Sequence, residues 1–291
     1  MNQNLKSEIR NPKSLPRWLK RNVPKGNANH FTQRLIGELG LQTVCDHARC
    51  PNRMECYAGK TATLMILGDV CTRGCRFCSV EKGKPRPVDP DEPRRVAEAA
   101  RRLGLRHVVV TCVARDDLPD GGAGHFCRTI EALRRATEAS VEVLPSDLAG
   151  NTAALDRLID AAPEVFNHNT ETVPRLYATV RGRKADYRWT LEMFRRIGRR
   201  NRAIRLKTGM MLGLGETIQE VLDTLADLAD AGCRMLTLGQ YLQPSPAQMP
   251  VIRYLPPEEF DQFGRFARQI GFEQVASGPF VRSSYHAKDM L

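Results

Sequence analysis

Six of the nine cysteines in this 291-residue chain are clustered in two groups of three. The first triplet has the spacing C-x4-C-x5-C and the second triplet the spacing C-x3-C-x2-C, and they are Cys45, Cys50 and Cys56, then Cys71, Cys75 and Cys78. Structural zinc takes four protein ligands, so one zinc site built from both triplets would leave two cysteines over. Three thiolates leave one of the four irons of a cubane iron–sulfur cluster open to another ligand. The triplets therefore favour iron–sulfur clusters, with zinc or redox thiols as the alternatives.

The elements that must position these cysteines alternate between strands and helices. Continuous apolar and β-branched runs predict strands at 61–67, 107–112, 140–146, 164–169, 203–212 and 234–242. Helical periodicity predicts helices at 94–104, 124–138, 151–162, 172–180, 188–199, 216–232 and 256–271. Because six strand–helix pairs imply a parallel sheet covered by helices, we predict an α/β fold, a partial (β/α)6 TIM-type barrel. Its chemistry is expected in the loops that follow the strands.

The chain divides into three parts at this level. We predict an N-terminal extension over 1–60 that carries the first triplet, a barrel core over 61–271, and a C-terminal short strand and loop over 272–291. The remaining cysteines are scattered, and we expect them to be small core residues; they are Cys112, Cys127 and Cys233.

Composition narrows the function classes. Lys and Arg exceed Asp and Glu by 44 − 33 = 11, so acidic partners are plausible, and the basic stretch 181–205 is either a solvated helix face or a docking patch. No apolar run approaches the ~20 residues of a membrane span, and no basic stretch is interleaved with aromatic residues as in many nucleic-acid binders. The first 26 residues lack the apolar segment of a secretion signal. We expect a cytoplasmic protein that binds neither membranes nor nucleic acid.

The second triplet, placed in the loop after the first predicted strand, resembles the cysteine motif of the radical S-adenosylmethionine (SAM) enzymes. In that family the open iron binds the amino and carboxylate groups of SAM, and reductive cleavage yields a 5′-deoxyadenosyl radical that abstracts hydrogen from an unactivated carbon. The resemblance implies that the aromatic residue before the last cysteine, Phe77, lies against the adenine.

From Cys45 to the C-terminus the chain resembles the lipoyl synthase family within these enzymes. The matching stretches are CDHARCPNRMEC, TATLMILGDVCTRGCRFCSV, RDDLPDGGAGHF, NHNTETVPRLY, KTGMMLGLGE, GQYLQPS and RSSYHA. The resemblance implies that Ser284 of R-S-S-Y completes an auxiliary [4Fe–4S] cluster held by the first triplet. That cluster would give two sulfur atoms to C6 and C8 of a protein-bound octanoyl chain, at the expense of two SAM molecules. The implied cofactors are two [4Fe–4S] clusters and SAM.

The resemblance also implies partners, which the sequence itself does not show. They are octanoylated lipoyl domains or a glycine cleavage H-type carrier protein, and a reducing protein such as ferredoxin or flavodoxin.

Several polar residues are further candidates for SAM binding. Asn167, Asn169 and Glu171 alternate where the fourth predicted strand ends, so they could share one face and accept hydrogen bonds from ribose hydroxyls and an α-amino group. Loop capping is the alternative. Lys207, inside a predicted strand, either faces the barrel mouth and meets a carboxylate or extends to solvent. His168 is expected to be structural, since radical abstraction needs no general base.

Other assignments stay open from the sequence. Ser283 and Ser284 could be ordinary loop caps, and apolar residues near the fifth strand could line an octanoyl channel or pack in the core; they are Met210, Met211, Leu212 and Leu214. The chain departs from the family pattern at Ala114, Thr208 and Gln248, and none of these is a cluster ligand. The alternatives to the family are a methylthiotransferase-like two-cluster enzyme and a non-catalytic metal-binding nucleic-acid module.

Overall fold

A computed structural model describes residues 15–20 and 29–290 of the chain. Residues 1–14, 21–28 and 291 lie outside the described residues, so the predicted N-terminal extension is seen only in part. Its described portion includes the whole of the first cysteine triplet.

An eight-stranded sheet forms the centre of the fold. The strands of the structure are β1 (Gln42–Thr43), β2 (Thr63–Ile66), β3 (Val70–Cys71), β4 (Glu81–Lys82), β5 (His107–Cys112), β6 (Ser140–Leu144), β7 (Val165–Asn167), β8 (Arg205–Leu212), β9 (Met235–Gln240) and β10 (Gln274–Ser277). Seven of them pair in parallel in the order β2-β5-β6-β7-β8-β9-β10. Strand β1 adds an antiparallel edge to β2, and β3 pairs with β4 in a separate small ladder.

Ten α-helices surround this sheet in the described part of the chain. They are α1 (His30–Glu38), α2 (Val44–His47), α3 (Arg53–Ala58), α4 (Glu92–Leu103), α5 (Ala123–Ala136), α6 (Thr152–Asp160), α7 (Tyr177–Val180), α8 (Tyr187–Arg200), α9 (Ile218–Asp230) and α10 (Pro257–Gln269). Each of the six predicted strand–helix pairs is present, so the predicted partial (β/α)6 barrel is confirmed. Strand β10 is the short last strand expected in the C-terminal part.

The helices form where the sequence supplies both an end signal and an apolar face. Helix α9 begins with a capping box: Thr217 accepts a hydrogen bond from the Glu220 amide, and the Glu220 carboxylate accepts one from the Thr217 amide. Its buried face includes Val221, Leu225 and Leu228. Burying such a face is what stabilises a helix of this length in a protein. None of the helices in the described ranges is long and apolar enough to cross a membrane.

The second triplet begins at the end of β3, with Cys71, and continues in the loop that joins β3 to β4. The ladder pairs Val70–Cys71 with Glu81–Lys82, so the two ends of the loop that carries Cys75 and Cys78 lie side by side. The first triplet is carried by the short helices α2, with Cys45, and α3, with Cys56, and by the turn between them, with Cys50; these elements follow β1 at the edge of the sheet. Both triplets therefore lie beside β2.

Candidate active site

A cavity of about 480 Å³ opens at the carboxyl ends of the parallel strands, where the sequence predicted the chemistry. Five triplet cysteines line it: Cys45, Cys50, Cys56, Cys75 and Cys78. The sixth, Cys71, ends β3, and its Sγ accepts a hydrogen bond from the Arg73 amide at 3.4 Å. The R-S-S-Y segment contributes Arg282, Ser283, Ser284 and Tyr285 to the same wall. The structure thus brings together the three motifs that the sequence singled out as cluster ligands.

The second triplet is fixed by a buried arginine. The Arg73 guanidinium donates to Asp116 at 3.0 Å and to Asp147 at 2.6 Å, and its side chain is 7% exposed. Burial would lower the pKa of Arg73, but the hydrogen bonds to the two carboxylates raise it above its ordinary value. The backbone adds further bonds: the Thr72 hydroxyl and amide both donate to the Ala114 carbonyl. The loop is therefore tied to the segment after β5.

The first triplet is held by a different network, centred on Asp46. This carboxylate accepts hydrogen bonds from Thr43, Tyr57 and Arg53. Burial would raise the pKa of Asp46, but these donors together hold it below its ordinary value. A direct link also joins the two triplets, since the Ser79 hydroxyl donates to the His47 carbonyl at 2.6 Å.

The C-terminal segment closes over the first triplet. Asn52 donates to the Phe280 carbonyl at 2.8 Å, and Tyr285 donates to Glu55 at 2.7 Å. The segment also rests on Gly239, where an added Cβ would lie 2.0 Å from the Val281 carbonyl oxygen. Any side chain at residue 239 would push the segment away, so the glycine of the GQYLQPS stretch is needed for this close approach.

The buried thiols are poor acids in the metal-free chain. Burial raises the pKa of Cys45 and of Cys78 to about 12, and burial also raises that of Cys75. A thiolate, not a thiol, is the metal ligand, so metal binding must release these protons. No three His, Cys, Asp or Glu side chains within 15–20 and 29–290 are gathered tightly enough to hold a single metal ion. Two sets of three thiols around one cavity fit two multinuclear clusters better than one closed zinc site.

Beside the second triplet lies a group of buried polar side chains. The Cys75 thiol is 3.4 Å from the Arg181 carbonyl, and Arg181, His168, Asn169 and Glu171 all line the cavity. Among the described residues, three buried polar atoms here have no hydrogen-bond partner: His168 Nε2, Asn169 Oδ1 and Arg181 Nε. Buried polar atoms are nearly always bonded. Three unpaired atoms on one wall indicate a place where a polar ligand binds.

Electrostatics set the charges in this group. Burial and the neighbouring Arg181 lower the pKa of His168 to about 4, so its imidazole is neutral at pH 7. Burial raises the pKa of Glu171, opposed by the Arg181 charge. Gly209, on β8, makes room for this wall, since an added Cβ would lie 2.8 Å from Asn169 Oδ1.

Two predicted SAM contacts lie elsewhere. Asn167 and Lys207 do not line the cavity; both bind the carboxylate of Glu142, at 2.7 Å and at 2.9 and 3.0 Å, in the interior of the barrel. His107 completes this group, with its Nε2 atom 3.2 Å from Glu142. The structure therefore places Asn167 and Lys207 in this buried network and not in the cavity lining, and their contact with the cofactor stays a prediction. Lys207 does meet a carboxylate, that of Glu142 on β6, which is separated from β8 by β7.

The three departures from the family pattern have local roles. The Ala114 carbonyl accepts bonds from Thr72, so its contribution comes from the backbone. The Thr208 hydroxyl donates to the His168 carbonyl at 2.9 Å. Gln248 accepts a hydrogen bond from Ser245 and donates to the Cys78 carbonyl at 3.4 Å. Thr208 and Gln248 thus support backbone groups of the cavity wall.

The structure places the apolar residues of β8 and the turn after it in two different environments. Met210 and Met211 line the cavity, whereas Leu212 and Leu214 are buried in the core. Phe77 lines the cavity and packs against a buried group that includes Tyr241 and Met249. Of the scattered cysteines, Cys233 is fully buried in the core, Cys127 is only partly buried, and Cys112 lies in the cavity wall.

Several side chains of the basic stretch 181–205 pair with carboxylates in the structure. On α8, Arg196 and Arg200 pair with Asp156 of α6, and Arg199 pairs with Glu192. These partly exposed pairs match the interpretation of a solvated helix face. Arg181, at the start of the stretch, instead turns into the cavity, and neither it nor Arg73 was singled out by the sequence.

Two family models match the chain. The radical SAM superfamily model matches residues 65–228, more than half of the chain, and the N-terminal domain of lipoyl synthase of the radical SAM family matches residues 1–50. The first match spans the second triplet and most of the barrel. The second match reaches Cys50 of the first triplet.

Curated relatives agree with these matches. The lipoyl synthase of Rhodopirellula baltica is 59% identical over 278 residues, which cover 95% of this chain and 88% of the relative. The lipoyl synthase of Caldanaerobacter subterraneus is 52% identical, covering 94% and 95%. That of Methylococcus capsulatus is also 52% identical, covering 95% and 86%.

Solved structures show the same fold at low identity. Methylornithine synthase superposes with a TM-score of 0.56 and 12% identity, covering 84% of this chain and 76% of that one. Coproporphyrinogen III oxidase from Escherichia coli, described as a radical SAM enzyme, gives a TM-score of 0.51 and 14% identity, covering 71% and 52%. At such identities the likeness concerns the fold alone.

Identity, coverage and site chemistry lead to one conclusion. The family uses SAM and two [4Fe–4S] clusters, and the six triplet cysteines, five of which line the cavity, provide a donor set that fits two such clusters. The chain belongs to the lipoyl synthase family of radical SAM enzymes, which insert two sulfur atoms into a protein-bound octanoyl group.

Proposed function

We propose that the two triplets divide the work of the reaction between them. The second triplet holds the [4Fe–4S] cluster at which SAM binds; its residues are Cys71, Cys75 and Cys78. The first triplet, together with Ser284, holds the auxiliary cluster that supplies sulfur; its cysteines are Cys45, Cys50 and Cys56. The observation that carries this proposal is the shared cavity, because the R-S-S-Y segment reaches the first triplet from 230 residues away, through the bond between Tyr285 and Glu55.

SAM binds, in this proposal, between the second triplet and the wall of unpaired polar atoms. Glu171 and Asn169 present acceptors to an α-amino group or to ribose hydroxyls, and the Arg181 guanidinium presents a donor to a carboxylate. Phe77 offers a flat apolar surface for the adenine. The neutral imidazole of His168 adds one hydrogen-bonding atom, Nε2, without adding charge.

The octanoyl chain fits between the two triplets. When bound, SAM and the clusters supply hydrogen abstraction and sulfur transfer. The protein supplies an apolar path: Met65, Met210 and Met211 line the cavity, and thioether side chains adapt to an extended aliphatic chain. The C-terminal segment covers the first triplet and limits the access of water to it.

The partners follow from the substrate of this family. We propose that the octanoyl group arrives on a lipoyl domain or on a glycine cleavage H-type carrier protein, and that ferredoxin or flavodoxin reduces the clusters. The net charge of +11 favours acidic partners of both kinds. A cytoplasmic location fits reduced cysteines, and the division into 1–60, 61–271 and 272–291 follows the extension, the barrel and the covering segment.

Anaerobic reconstitution tests the proposal directly. The chain is loaded with iron and sulfide, both are counted, and SAM, a reductant and an octanoyl-lysine peptide are added. We expect about eight irons per chain from two cubane clusters, formation of 5′-deoxyadenosine, and a peptide that gains two sulfur atoms by mass spectrometry. Two zinc ions without sulfide would overturn the enzyme, and deoxyadenosine without sulfur insertion would overturn the proposed substrate.

A further inference from the structure

Leu67 adopts a backbone conformation that a leucine rarely takes. It is the residue after β2, it has a φ of 69°, and it is 2% exposed. For a residue with a branched side chain this left-handed region is strained, and it persists only where surrounding contacts hold it. Gly68 follows with a φ of 91°. These two residues turn the chain out of the sheet and toward Cys71, which lies four positions after Leu67.

Both peptide groups of Leu67 are held by buried charged side chains. Its N–H donates to the Glu92 carboxylate at 2.8 Å, and its carbonyl accepts from the Arg115 guanidinium at 3.0 Å. Glu92 is 7% exposed and Arg115 is 2% exposed. Hydrogen bonds to buried ionised groups are stronger than bonds between neutral groups. These two hydrogen bonds therefore stabilise the strained backbone conformation of Leu67.

One stretch of sequence supplies three of the residues that hold Leu67 in this conformation. Residues 115–126, RDDLPDGGAGHF, supply Arg115 itself, His125, whose Nε2 lies 2.7 Å from the Glu92 carboxylate, and Gly122. At Gly122 an added Cβ would lie 2.3 Å from Leu67 Cδ1, so the glycine leaves room for the Leu67 side chain. Three residues of one motif thus converge on a single residue in front of the second triplet.

We propose that Glu92 and Arg115, supported by His125 and Gly122, are positioning residues that preset the entry of the second-triplet loop. They hold the Leu67 turn so that Cys75 and Cys78 face the cavity before any cluster is bound. The inference rests on the proposed function in one respect, that the second triplet is the ligand set. The role of Glu92 is separable from general stability, because its effect is directed at one loop.

Glu92 offers a conservative and a disruptive replacement. Glu92→Gln keeps an amide oxygen that can accept from both Leu67 and His125, whereas Glu92→Met has a similar length and no acceptor. Glu142→Gln is the matched control, because Glu142 is also a buried carboxylate next to a histidine, but its partners are Lys207, Asn167 and His107. This control lowers stability without touching Leu67.

Hydrogen–deuterium exchange of the metal-free full chain is the first measurement. In Glu92→Met we expect peptides covering 67–80 to exchange at least about tenfold faster than in the parent chain. Glu92→Gln and Glu142→Gln should leave exchange over 67–80 within about threefold of the parent. Equal acceleration in Glu92→Gln and Glu92→Met, or none in Glu92→Met, would overturn the proposal.

Gly122→Ala provides an independent variant if Glu92→Met does not fold. Its Cβ would lie 2.3 Å from Leu67 Cδ1, and the φ of 94° at residue 122 is unfavourable for alanine, so the packing against Leu67 is disturbed and exchange over 67–80 should again rise. Unchanged exchange in this variant would also contradict the proposal.

The reconstituted enzymes give a second readout. We expect Glu92→Met to need more SAM than the parent to change the electron paramagnetic resonance spectrum of the reduced cluster, while Glu92→Gln matches the parent. A parent cluster that does not respond to SAM would refute the proposed function instead, and the exchange result on the metal-free chain would still decide the role of Glu92.

Discussion

The two cysteine triplets share a cavity but are anchored in different ways. The second triplet is tied to the barrel by buried charges, since Arg73 and Asp147 have side chains only 7% and 5% exposed. The first triplet depends on half-exposed pairs, with Arg53 and Asp46 at 38% and 37%. It is also covered by a segment from the other end of the chain.

This difference matches the proposed division of labour. A cluster that binds SAM in every cycle benefits from a rigid frame, whereas a cluster that gives up its sulfur must be dismantled and rebuilt. The comparison therefore predicts that damage to the second triplet abolishes all chemistry, and that damage around the first is selective.

The largest expected effect separates Cys75 from Ser284. Cys75→Ala should reduce 5′-deoxyadenosine to the background level, because the SAM-binding cluster loses one of three thiolates. Ser284→Ala should keep deoxyadenosine formation within about twofold and lower sulfur insertion by at least about tenfold. Both products are read by mass spectrometry in one assay, with Ser283→Ala as the matched control for the neighbouring serine.

Either of two results would break the comparison. Continued deoxyadenosine production by Cys75→Ala would refute the ligand assignment of the second triplet. Loss of both products in Ser284→Ala would mean that the serine supports the whole cavity and not one cluster.

The next effect concerns stability and compares two arginines. Arg73→Met leaves the buried carboxylate of Asp147 without its cation and leaves Asp116 with Lys184 alone, which should cost about 3–5 kcal/mol of the free energy of unfolding. Arg53→Met removes a half-exposed pair and should cost less than about 1 kcal/mol. Urea denaturation of the metal-free chains measures both. Equal losses would show that the two triplets are anchored with similar strength.

Much of this architecture could be predicted because it is recorded locally. The strand of 107–112 is a continuous β-branched run, and the helix at 216–232 has an apolar face that repeats every turn. The grouping of the cysteines is likewise visible as spacing. The small elements around them, such as β3 and β4 with two residues each, are too short to show a period and form through contacts with distant residues.

The partners of buried charged side chains are harder to predict from the sequence. The sequence predicts Lys207 at the barrel mouth or in solvent, but a third arrangement exists, in which Lys207 pairs with the buried carboxylate of Glu142. The sequence does contain an indication of this pair, because Glu142 is the single charged residue within the strand SVEVL. Arg73 and Asp147 are 74 residues apart, and no local pattern announces such a pair. The roles of Leu67 and Arg115 required backbone angles, which composition does not encode.

The smallest expected effect concerns the Asp46 network that holds the first triplet, and it is measured as the pH dependence of the free energy of unfolding. Tyr57 donates to Asp46 at 2.5 Å, and the pKa of Asp46 lies below its ordinary value because its donors outweigh the effect of burial. Tyr57→Phe should cost about 1 kcal/mol of the free energy of unfolding at pH 7. A carboxylate with a lowered pKa contributes stability above its unfolded-state value near pH 4 and loses it as the pH falls through its folded-state value. The deficit of the variant should therefore shrink below about pH 4.

Asp46→Asn is the control for this test, since an amide at residue 46 does not titrate. In that background Tyr57→Phe should show a smaller deficit that is the same at pH 3 and pH 7, as measured by urea denaturation. A parent-background deficit of equal size at both pH values would assign the effect to lost packing or to the bond between Tyr57 and Thr43. The first triplet would then be held by packing or by a neutral hydrogen bond, whereas the second triplet is held by the buried charges around Arg73.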